Sequence, residues 1–269
     1  MKRLAKDKKK QEKSVSSQEK RASAAESSHP LFYRTPVAID IQRHAKAGIL
    51  PSSNLSFAEN ANSVAINVVE FIEVSKFSPI VFTDGDHPTP LAILGLEQHN
   101  YFVDSKGAWK EDTYIPAYIR KYPFAFMEVA EHKQFVLCVD ESAPFFCGDI
   151  SKKKDAESFF DGDKPSALTR NALEFCTAFH NHHQLTKQFC GALKELDLLV
   201  ANQTDAVLAS GRKVRLSGFQ VIDEKKFNEL PQDVILSFHK KGWLPYVYMV
   251  LVSASNWKRI LHMASKREQ

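Results

Sequence analysis

The residues best suited to chemistry in this chain gather in one aromatic and basic stretch holding Trp109, Tyr114, Tyr118, Arg120 and Tyr122. An arginine beside aromatic rings suits a carboxylate or a flat ligand, because the guanidinium is planar, permanently charged and stacks on ring faces. Asp104 and Glu70 are the acidic residues expected to join such a ligand site. The same residues read equally as packing. Tyr118 and Tyr122, four apart with Arg120 on the other side, would cap a sheet, while Asp104 would shape a turn and Glu70 a helix surface. His44, next to Arg43, is a candidate general base provided it meets a carboxylate such as Glu70.

Other clusters point away from metal and nucleophilic chemistry. His180 and His183 sit three apart in His180-Asn181-His182-His183, but no carboxylate follows at helical spacing and Asn181 adds no ligand, so a polar helix face is expected and no metal. Asp84, Asp86 and His87 read as a turn. Cys138, Cys147, Cys176 and Cys190 lack any C-x-x-C spacing and read as reduced core thiols. GxxxxGK[ST], GxGxxG, HExxH and GxSxG are absent, as is the His-x-Asp/Glu start of an iron facial triad, so no cofactor and no catalytic residue is assigned.

The elements that must position these residues follow from periodicity and punctuation. Between Pro79 and Asp140, short apolar runs bounded by Gly, Asp and Pro predict an antiparallel β-meander. The Asp84–Pro88 turn joins its first two strands, and Glu131-His132-Lys133 joins its last two. Pro116 opens a short helix over Ile115–Lys121 that Pro123 stops. Residues 64–66 predict a strand, 68–74 a short helix, and the region around His44 a loop. Leu168, Ala172, Phe175, Phe179, Thr186, Phe189, Leu193 and Leu196 fall on one helical face, with Ser166 as N-cap. Ala206–Ala209 and Lys213–Leu216 predict a small hairpin, Asp223 caps a short helix, and Pro231 opens another that stops at Gly242. Leu244–Ser253, apolar nearly all round, predicts a helix buried between others. The fold class expected is therefore α+β. A β-rich part over 29–150 packs with a mainly helical part over 151–269, as one unit behind a tail over 1–28.

Composition narrows the partners. The chain of 269 residues is 43% hydrophobic and 25% charged, an ordinary globular balance. Its net charge is +4, of which residues 1–21 supply +6, so the remaining 248 residues sum to −2. A basic, low-apolar tail cannot bury enough surface to order itself, and weak nucleic-acid contact is expected through that tail alone. No apolar run approaches the roughly 20 residues of a membrane-spanning helix, since Trp243–Ala254 is short and holds Pro245. No signal-peptide apolar segment follows the basic start. A cytoplasmic location is expected, or the cell surface by a route without a signal peptide.

Several blocks together make the chain resemble the SapC family of bacterial proteins. They include Ser56-Phe57-Ala58, Pro79-Ile80-Val81-Phe82, Asn100-Tyr101-Phe102-Val103-Asp104, Phe159-Phe160-Asp161-Gly162 and Gly242-Trp243-Leu244. The most distinctive is Tyr114-Ile115-Pro116-Ala117-Tyr118-Ile119-Arg120. The resemblance implies a link, through the family's name, to a bacterial surface-layer locus, and it carries over no catalytic residues. A transporter permease shares the label, but a chain without a spanning segment does not fit that role. The expected function is a non-enzymatic accessory or binding protein tied to surface-layer or envelope biogenesis, with a protein or a small molecule as partner. The alternative is a small-molecule sensor or enzyme using the aromatic–Arg pocket.

Overall fold

A computed structural model describes residues 30–129 and 134–267. The basic tail over 1–28 and the Glu131-His132-Lys133 turn lie outside the described residues. Within them the chain is α+β, and the paired strands run antiparallel.

The stretch from Pro79 to Asp140 divides between two sheets. Strands β4 (Ile80–Phe82) and β5 (Pro90–Ile93), with the Asp84–Pro88 turn between them, pair with β3 (Ser63–Ala65). Strands β6 (Phe124–Val129) and β7 (Gln134–Asp140) pair instead with β1 (Pro36–Ala38), in the order β1-β7-β6. The chain leaves the first sheet sharply at Gly95, where a Cβ would stand 1.9 Å from the His99 carbonyl oxygen. Pro36, with no N–H to donate, lies in an edge strand as its chemistry requires. The short β2 (Gly48–Ile49) pairs with β8 (Phe146–Cys147) and β9 (Glu157–Ser158), and β10 (Phe160–Asp161) with β11 (Lys164–Pro165).

The second half of the chain completes the first sheet. The hairpin is longer than its short apolar runs predict: β12 (Leu199–Val207) pairs with β13 (Lys213–Ile222) from Leu199↔Ile222 to Val207↔Lys213. A bulge between Asn202 and Thr204 absorbs the polar middle of β12. β13 then meets β4 at Gln220↔Phe82, giving the order β12-β13-β4-β5-β3.

The helices begin with α1 (Ile41–His44), α2 (Phe71–Val74, after a 3-10 turn at Val68–Glu70) and α3 (Ala117–Arg120). They continue with α4 (Ala167–Glu195), α5 (Glu224–Asn228), α6 (Gln232–Lys240), α7 (Leu244–Ser253) and α8 (Trp257–Arg267). Ser166 Oγ accepts from Thr169 N at the start of α4, and Asp223 caps α5. Gly242, at φ +69°, supplies the left-handed residue that ends α6. Of the stripe its spacing predicts, α4 buries Ala172, Thr186, Phe189 and Leu193 and leaves Leu168, Phe175, Phe179 and Leu196 half-buried, while Thr169, Cys176 and Cys190 are buried beside them. Two local expectations are corrected. His44 lies in α1, because Asp40 caps that turn, and α7 is not buried all round, with Tyr248 and Val252 exposed at 53% and 66%.

The largest core joins Val64, Phe71, Phe82, Leu94 and Ile119 from the first half to Phe189, Leu193, Phe219, Val247 and Ile260 from the second. Removing this apolar surface from water is the dominant favourable term in folding. It also sets α3 and α4 side by side. Among the described residues, no helix is long and apolar enough to cross a membrane.

Candidate functional site

The site is built around a buried carboxylate. Glu70 ends the 3-10 turn, and its Oε2 accepts from Asn67 N at 2.8 Å, the returning half of a capping box. Its Oε1 accepts from Ala117 N at 2.7 Å and from Tyr114 Oη at 3.1 Å. One side chain therefore caps two short helical segments, satisfying donors that α3 and the 3-10 turn leave unpaired. Pro116 precedes α3 with ψ 142° and aims the Ala117 N–H at that carboxylate. Burial pushes Glu70 above its ordinary value, and the N–H groups of Ala117 and Asn67, with Tyr114 and Arg120, offset part of this.

Arg120 extends the network outward. Its Nη2 donates to Tyr114 Oη at 3.0 Å and its Nε to Ile115 O at 3.0 Å. The guanidinium carbon lies 5.4 Å from the Tyr114 ring centroid and 5.4 Å from that of Phe175 on α4. Burial, reinforced by the Glu70 charge, pushes the Tyr114 phenol up to about 12, so it remains a hydrogen-bond donor at neutral pH.

These groups line a cavity of about 160 Å³ between α3, α4 and the 3-10 turn, together with Asn67, Val69, Phe179 and His182. Asn67 is 2% exposed, and its Nδ2 has no hydrogen-bond partner. The far side of the amide is tied to α4, with Oδ1 3.3 Å from Thr186 Oγ1. Two wider grooves of about 700 Å³ each, one at Phe57 and Tyr122 and one at Gln188 and Trp243, contain no buried polar atom lacking a partner among the described residues.

Of the eight candidate ligand residues, the fold brings Glu70, Tyr114 and Arg120 together and separates the rest. Tyr118 and Tyr122 are not among the residues that line the cavity. Tyr118 Oη donates to Leu31 O at 3.1 Å, and Tyr122 Oη donates to Asp140 Oδ2 at 3.2 Å while its ring packs 4.4 Å from Phe57. Trp109 stacks on Phe102 at 5.5 Å, and its buried Nε1 has no partner. Asp104 accepts from Lys106 N and Ala108 N, a turn role. His44 does not meet Glu70. It is 1% exposed, with Nε2 3.1 Å from Glu141 Oε1, an oxygen that Arg43 Nε also holds at 2.5 Å. His180 faces Phe135 at 4.3 Å, and no group of three or more His, Cys, Asp or Glu among the described residues is placed to hold a metal.

Spacing alone missed Asn67 and Val69, together with Phe175, Phe179 and His182 on α4. Asn67 and Glu70 carry the capping-box spacing that would have flagged them. The three on α4 are ordinary members of a long helix whose neighbour becomes known once the chain is folded.

Behind the cavity, Lys121 is buried at 9% exposure and forms no ion pair with a carboxylate among the described residues. Its Nζ donates to Tyr33 Oη at 2.8 Å and lies 4.6 Å, 4.7 Å and 5.3 Å from the ring centroids of Tyr33, Tyr118 and Phe179. Burial pulls its pKa from 10.5 down to about 8. The unfolded chain then holds a proton that the folded chain has released, so the Lys121 contribution to stability rises as pH climbs from about 8 to 10.5. The expected gain is up to about 3 kcal/mol, and Lys121→Met should abolish it. Urea unfolding of both proteins at pH 7.5 and 10 checks this. Parallel pH profiles for the two would contradict it.

A family model described as SapC matches residues 39–260, most of the chain. No curated protein and no solved structure matches it.

Proposed function

Because the chain belongs to the SapC family, we propose that it is a non-catalytic binding protein whose small-molecule ligand occupies the cavity beside Glu70, Tyr114 and Arg120. The observation that carries this reading is the Asn67 amide, buried in the cavity lining with its Nδ2 unpaired. An unpaired buried donor costs about 1–3 kcal/mol, which a ligand able to pair it would recover. Binding is favoured over turnover because Glu70 is committed to three donors and Tyr114 keeps its proton. Neither is free to exchange a proton with a substrate.

The setting we propose is surface-layer or envelope biogenesis, with the protein acting on the cytoplasmic side. Its support is the family resemblance, and an unchanged envelope in cells lacking the gene would reject it. The site itself is tested by native mass spectrometry of protein purified from its own cells. Ala178, exposed on α4 at the cavity lining, can be enlarged without touching the core. Wild type is expected to carry an added mass that Ala178→Phe lacks. Bare masses for both proteins would overturn the reading.

A further inference from the structure

The geometry points to a short-chain monocarboxylate as the ligand of this cavity, an inference that rests on the binding reading above. About 160 Å³ is close to the size of a cavity that takes up one benzene molecule, so the occupant is small. Two of the cavity's lining residues, Arg120 and Asn67, hold unused donors. Arg120 commits Nε to Ile115 O and Nη2 to Tyr114 Oη, which leaves Nη1 without a partner among the described residues. Asn67 Nδ2 is the second. A charged and a neutral donor together suit an anionic, two-oxygen acceptor, and arginine matches that planar shape. Val69, Phe175 and Phe179 line the rest of the space and favour a short apolar body. The Glu70 charge does not call for a cationic ligand, because three protein donors already face it. With the Asn67 amide turned over, its oxygen would enter the cavity instead and favour an amine.

The test compares propionate and butyrate with propionamide and propylamine, using saturation-transfer NMR on the full-length protein. The carboxylates are expected to bind most tightly, and Arg120→Gln should weaken them at least about tenfold, the usual weight of one charge-assisted hydrogen bond. Arg120 is exposed, so the variant should fold, and an unchanged melting temperature would verify it. Ala178→Phe should remove binding of every compound. If the amide or amine binds in an Ala178→Phe-sensitive manner and propionate does not, the carboxylate inference falls and the binding site stands. If Arg120→Gln leaves carboxylate affinity unchanged, the inference also falls. If none of the four compounds binds, both fall.

Discussion

Asp140→Ala is expected to lower the unfolding free energy by roughly 3–5 kcal/mol, the largest effect of any single substitution proposed for this protein. Asp140 is fully buried and accepts five hydrogen bonds. Oδ1 takes Thr35 N at 2.8 Å, Ser142 N at 3.1 Å and Ser142 Oγ at 2.7 Å, and Oδ2 takes Arg34 N at 3.0 Å and Tyr122 Oη at 3.2 Å. Those donors come from the segment leading into β1, the turn after β7 and the stretch just after α3. Removing the carboxylate strands them at one stroke. Burial pushes Asp140 up, but the bonds from Ser142, Thr35 and Arg34 outweigh it and hold the group below its ordinary 3.8. Its stabilisation is therefore present above that value and is lost as pH falls through the lower folded one. Urea unfolding at pH 7, repeated between pH 5 and 3, reads both parts. A deficit under about 1 kcal/mol at pH 7 would show that the network is dispensable.

Glu70→Ala should cost about 3 kcal/mol, since it strands Asn67 N, Ala117 N and Tyr114 Oη in the interior. Glu70→Gln should cost less, roughly 1–2 kcal/mol, because one oxygen survives while the amide NH₂ must face a donor. The pH response runs opposite to that of Asp140. Burial raises Glu70 above 4.5, so between 4.5 and its folded value the folded chain holds a proton that the unfolded chain has lost. Stability falls as pH rises through that window. Glu70→Gln has no such proton, so its deficit against wild type should be larger near pH 4 than at pH 7. Chemical unfolding at the two pH values measures the difference. A deficit that grows toward neutral pH would mean that the carboxylate is stabilised by its donors more than it is penalised by burial.

The elements read correctly from sequence are those whose signals are local. Ser166 and Asp223 cap helices because their side chains reach N–H groups two or three residues on, and Pro116 starts α3 through its own fixed φ. The stripe of α4 is legible because helical period is a property of one segment. Apart from the turn at His44, which Asp40 caps locally, the errors involve distant neighbours. α7 looks like a fully buried helix from its composition, but Tyr248 and Val252 are left more than half exposed, Tyr248 meeting only the edge of Phe227 on α5 among the ring contacts of the described residues. The meander breaks in two because β3, from earlier in the chain, takes the place beside β5 that β6 would need, while β13, more than a hundred residues later, fills the other side of β4.

The candidate site follows the same division. Arg120 and Tyr114 declare an aromatic–basic pair in sequence, and their shared membership of one short stretch makes the contact almost unavoidable. Whether that pair meets a carboxylate, and which one, depends on the core that sets the Val68–Glu70 turn against α3. His44 shows the other outcome, meeting Glu141 in place of Glu70 because β7 and its following turn lie beside α1. By itself the sequence determined the α+β class, the caps, the long amphipathic helix and the family, all of which rest on local patterning. The tertiary structure alone decided which charges are buried together, which tyrosines face the cavity, and that the Asn67 amide is left unpaired, because long-range packing places groups whose separation along the chain carries no information about their separation in space.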